Sequence, residues 1–98
     1  MHPPFHELQA RLNKNTVDFL RTELELGFTF VKTAEIEASM NNTEHFDRAR
    51  KYSESAVETI YRFAPRILDS HTRGEILQGA DKLQKRIASL GVGATSQK

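Results

Sequence analysis

From Phe5 to Ala64 the chain has no proline; its three prolines stand at positions 3, 4 and 65. Nor does it hold an Asn-Gly or Asp-Gly pair to turn a hairpin, or a useful stretch that alternates apolar with polar residues. What recurs is a step of three and four. Phe46, Ala49, Ser53, Ala56, Ile60 and Phe63 form one such line, the seam of a helix packed on another helix. The chain reads as all-α.

The boundaries follow from local chemistry. A first long helix is expected over about 15–40, opened by Asn15 as cap with Asp18 three residues on. Residues 4–12 are expected to form a short helix of their own, since proline is tolerated in a first turn. A continuous helix through Asn13-Lys14-Asn15 is the alternative. A second helix is expected over 43–64, with Glu44 and Asp47 at its positive end and Pro65 ending it. Thr72-Arg73-Gly74-Glu75 has the form of a capping box, which opens a third helix over 73–90 carrying Ile76, Ala80, Leu83, Ile87 and Leu90. Gly91 then reads as a stop and 91–98 as a loose tail. Gly74 and Gly79 weaken that helix.

Stripe widths set the packing. At 100° per residue the apolar positions of the second helix span roughly 160°. Those of the first helix span roughly 200°, too much for one neighbour to cover. Val17, Leu20, Leu24, Gly27, Val31, Ala34 and Ala38 make one line; Phe19, Leu26 and Phe30 make another beside it. The first helix must therefore touch two partners. The arrangement expected is an antiparallel up-down three-helix bundle, with the small residues Gly27, Ala34 and Ala38 meeting Ala49 and Ala56, and a short N-terminal fourth helix. The flank Phe19, Leu26 and Phe30 has two readings. Either the third helix or Phe5, Leu8 and Leu12 cover it, or it binds a partner helix or a second copy.

The hairpin from Thr33 to Pro65 resembles a tetratricopeptide-type helix pair, with Phe46, Ala49 and Ala56 in the family's parts and a proline after the second helix; Pro65 comes about a turn late, Glu37 stands where the first helix carries Gly or Ala, and Ser53 stands where the family has an aromatic. The three-helix outline is also similar to domains of the microtubule-interacting-and-trafficking type. Either resemblance implies binding of a peptide or helix in a groove, without catalysis.

Composition excludes several classes. There is no cysteine, hence no disulfide, thiolate metal site or cysteine nucleophile. Fourteen basic residues against thirteen acidic give a net charge of +1, without the basic excess of a phosphate-binding domain. Lys82, Lys85 and Arg86 line the outer side of the third helix, where the helix dipole favours them. No apolar run reaches the about 18 residues of a membrane span. MHPPFHELQA lacks the order of a signal peptide, so the expected setting is the cytoplasm.

Candidate chemistry is thin. Arg66 and His71 have the spacing R-x4-H, which resembles the helical nuclease-and-toxin family known as HEPN. There, a histidine base and an arginine on one helix cleave RNA. The structural alternative is that Arg66 neutralises a helix end and His71 is a turn residue. His2 and His6 are four apart, but no third metal ligand is indicated. Glu23, Glu25, Glu35 and Glu37 lack the Glu-x-x-His partners of a di-metal bundle site, and Glu35 is placed to pair with a cation. His45 reads as a partly buried packing residue. The expectation is a non-enzymatic protein-protein interaction module that self-associates and needs no cofactor or metal. RNA cleavage through Arg66 and His71 is the alternative.

Overall fold

The computed structural model describes residues 4–96, and side chains over 6–90. Helix α1 spans Pro4–Ser39, α2 spans Thr43–Phe63, a 3-10 turn spans Ala64–Arg66, and α3 spans Ser70–Ser96. The described residues contain no strand. At 1.5 Å per residue α1 is about 54 Å long, which accounts for most of the 67 Å length of a molecule only 20 by 15 Å across.

The break expected at Asn13–Asn15 is absent, and with it the separate helix over 4–12. Asn15 does not cap. Asn13 spends its side chain elsewhere: its Oδ1 accepts the Leu68 N–H at 2.8 Å. Thr16 Oγ1 donates to the Leu12 carbonyl at 3.0 Å, and Lys14 pairs with Asp18 one turn on, at 3.2 Å. Asparagines disfavour a helix only mildly, and these local bonds carry it through. His2 lies outside the described residues. His6 lies in the first turns of α1.

Asn41 ends α1 with φ of 58°, a left-handed conformation that asparagine tolerates. Asn42 caps α2, its side chain accepting the His45 N–H at 3.4 Å. Pro65, with no N–H to donate, sits in the 3-10 turn that follows Phe63. The cap of α3 is Asp69. Its Oδ2 accepts the Thr72 N–H at 2.7 Å and the Thr72 hydroxyl at 2.6 Å. The capping box expected at Thr72–Glu75 is thus interior to the helix, whose opening turn lies three residues earlier. Gly91 does not stop α3 either; the helix continues to Ser96, and Gln97 and Lys98 lie outside the described residues.

Contacts between α1 and α2 run in opposite order along the two helices: Phe19 meets Phe63, Gly27 meets Ser53, and Phe30 meets Tyr52. Between α1 and α3 they run in the same order, from Arg21 with Glu75, through Gly27 with Leu83, to Glu35 with Arg86. The core forms two clusters. One, beside the α1–α2 turn, is built on Val31, Phe46, Val57, Leu83 and Ile87. The other, beside the 3-10 turn, is built on Leu20, Ile60, Ile67, Ile76 and Ala80. Ser53 is fully buried, its hydroxyl at 3.2 Å from both the Gly27 and the Ala49 carbonyls.

Gly27 marks the tightest crossing. A Cβ there would lie 2.4 Å from Leu83 Cδ2 and 3.2 Å from Ala56 Cβ. Gly74 faces open space. Gly27→Ala should therefore destabilise the fold by about 1–3 kcal/mol through overpacking, whereas Gly74→Ala should stabilise it by about 1 kcal/mol. Urea unfolding of the two variants, followed by circular dichroism, checks both signs.

Candidate functional site

The inward line of α1 is covered by α2 and α3; of its second line, Phe19 and Leu26 are not. Because α1 is one helix, Leu8 and Leu12 cannot fold back over the flank, and both are themselves exposed. α3 packs on the other side of α1, against Leu24 and Gly27. Phe19 is left 47% exposed and Leu26 44%. Phe19 touches the chain edge-on through Phe63, with ring centroids 6.4 Å apart. Phe30 is half-buried and leans on Tyr52 at 4.9 Å. Beside that aromatic pair lies a shallow cavity of about 240 Å³, lined by Thr33, Glu37, His45 and Arg48 as well as the two rings. His45 is exposed at its rim, a correction to the partly buried position expected from sequence. Its Nδ1 lies 3.0 Å from Asn42 Nδ2 and 3.9 Å from Glu37 Oε1, so α2's cap and the α1 end hold the ring outward.

A larger open groove of about 480 Å³ lies where the α1–α2 turn meets α3, lined by Glu35, Asn42, Phe46, Arg50 and Leu90 among others. Its main charge is already matched. Glu35 accepts two hydrogen bonds from Arg86, at 2.8 and 2.9 Å. The Arg86 bond holds the Glu35 carboxyl below its ordinary range and raises the guanidinium in turn. Arg86 also lies 6.0 Å over the Phe28 ring, so the outer basic side of α3 is left to Lys82 and Lys85. Among the described residues no group of three His, Asp or Glu could hold a metal ion, and no buried side-chain nitrogen or oxygen lacks a hydrogen bond.

Arg66 and His71 stand on different elements. Arg66 closes the 3-10 turn with its guanidinium 4.9 Å over the Phe63 ring. His71 is in the first turn of α3, exposed, 3.5 Å from Glu75. The extended residue Ile67 and the Asp69 cap separate them, so the R-x4-H spacing is not presented by one helix.

Compared with protein-family models, curated proteins and solved structures, the chain gives no match. Among the described residues no helix is long and apolar enough to cross a membrane.

Two carboxyls report on the assembly of α3. Thr72's hydroxyl and N–H hold Asp69 below its ordinary value of 3.8, as Arg86 holds Glu35 below 4.5. A carboxyl depressed in the folded state stabilises it above the unfolded pKa and loses that contribution as pH falls through the folded one. The melting temperature should accordingly fall as pH drops below about 4.5. Glu35→Gln should flatten part of that acid limb, at a cost near neutral pH of about 1 kcal/mol or less because the pair is exposed. Thermal melts between pH 7 and pH 2.5 check it.

Proposed function

We propose that this protein is a small non-enzymatic helical interaction module, an antiparallel up-down-up bundle that associates with itself through the outer face of α1. The observation that carries this reading is the exposure of Phe19 and Leu26 on a helix whose opposite face already packs on α2 and α3. A helix covered on one side by its own chain and apolar on the other has a second surface to bury. Phe30, Tyr52 and the cavity beside them form the rim of that surface. Kinship with tetratricopeptide or microtubule-interacting-and-trafficking helices would give the same class of function. The proposed setting is the cytoplasm, with protein partners and no cofactor. Nothing in the placement of Arg66 and His71 favours RNA cleavage, since each is turned to a partner on its own side of the loop.

Light scattering across a concentration series tests the reading. The mass should rise toward twice the 11.2 kDa of one chain. Phe19→Asp combined with Leu26→Asp should raise the dissociation constant by on the order of 100-fold or more, with the helical circular dichroism kept. A wild-type mass of one chain at the highest soluble concentration would exclude self-association.

A further inference from the structure

The exposed apolar residues of α1 are more ordered than a patch. Leu12, Phe19, Leu26 and Met40 follow one another at multiples of seven, and Leu8 and Ile36 stand three residues after positions of the same series. These six are the large hydrophobic side chains that α1 and its closing turn leave exposed, each between 44 and 67%. In heptad terms all six fall at a or d. The remaining a and d positions between them are Asn15, Thr22, Thr29 and Thr33. In a chain that is 28% charged, ten surface positions along one face of one helix carry no charge.

The threonines are less polar than they look. Thr29 and Thr33 donate their hydroxyls to the Glu25 and Thr29 carbonyls of the preceding turn, each at 3.0 Å. Hydroxyls held by the backbone in this way have less need of water than free ones. Met40 N–H still bonds the Ile36 carbonyl at 3.2 Å, so the helical register reaches the end of the series. A strict seven-residue repeat drifts by about 20° per heptad on a straight helix, and stays in contact only with a partner helix that supercoils with it.

Resting on the self-association proposed above, we infer that the partner is a second copy paired α1 to α1, antiparallel, in a register where paired residue numbers add to 48. That register sets Leu8 against Met40, Leu12 against Ile36, and Asn15 against Thr33. In the middle it sets Phe19 against Thr29 and Leu26 against Thr22. Apolar ends meet apolar ends, Asn15 meets Thr33, and each large central residue faces a threonine. A parallel pairing would put Phe19 on Phe19 and Thr29 on Thr29, alternating overfilled layers with underfilled ones. The antiparallel register also sets Asp18 beside Lys32 of the other copy, twice by symmetry, although it brings Glu25 near its own equivalent at the centre. Six half-exposed side chains present on the order of 600 Å² of apolar surface per copy. With the threonines between them this approaches the about 800 Å² per partner of a stable interface.

The chain has no cysteine, so single cysteines can be placed without background. Leu12→Cys and Ile36→Cys are oxidised separately and as an equimolar mixture, after light scattering of the wild type and circular dichroism of both variants. In the inferred register, copies of Leu12→Cys hold their sulfurs about 36 Å apart, so neither variant should cross-link alone and the mixture should. Thr29→Cys mixed with Leu12→Cys, one heptad out of register, should cross-link at least ten-fold less. A wild-type dimer in which Leu12→Cys cross-links to itself overturns the antiparallel inference and keeps self-association. A dimer with no cross-link in any arm moves the interface off this seam. A monomer overturns both readings.

Discussion

Everything else in the fold hangs on the crossing at Gly27. Ser53 gives its hydroxyl to the Gly27 carbonyl, Ala56 leaves room for the α1 backbone, and Leu83 of α3 fills the space a side chain would have taken. Three helices therefore meet at one residue that has no side chain. Ser53 is the only buried polar side chain among the described residues, and it bonds backbone on both of the helices it touches. A bulkier residue at 53 would push α2 off α1 and open both core clusters.

The continuity of α1 decides where function can lie. Were it broken at Asn13–Asn15, the segment bearing Leu8 and Leu12 could fold back over Phe19 and Leu26 and satisfy them within the chain. One rigid helix keeps all of these on a single outward line. The Leu68 N–H bonded to Asn13 fixes the level at which α1 leaves the loop behind, and residues 6–12 beyond it are exposed. A helix end with its side chains exposed gains from any neighbour that covers it, and on the proposed reading a partner helix would do so.

Much of this was legible in the sequence because burial follows period. Spacing alone points to most of the inward residues of the three helices, though it leaves out Val57, which is buried beside the α2 seam, and it also points to the pairing of Glu35. Local polar chemistry was harder to read. Asn15 looked like a cap because it has a cap's side chain, while the tertiary bond that recruits Asn13 is invisible to spacing. Thr72 too has a cap's side chain, but it is the donor to Asp69. The outer seam was seen only in part, as Phe19, Leu26 and Phe30. The expected break assigned Leu8 and Leu12 to another element. On a straight helix at 100° per residue Ile36 and Met40 also lie well around from Leu12. Measured by sevens, the same residues line up. Phe30, grouped with them by sequence, belongs to the hairpin through Tyr52.

On the self-association proposed above, a helix with two seams would couple assembly to folding. The inner seam, with Leu20, Gly27 and Ala34, lies one residue after the outer positions Phe19, Leu26 and Thr33, so both seams use the same backbone turns. Any partner that grips the outer seam holds α1 helical to its N-terminal end. That can only favour the state in which the inner seam is packed. Ligands that bind the folded form alone raise its stability with concentration. For a partner that is a second copy, the protein's own concentration would play that part.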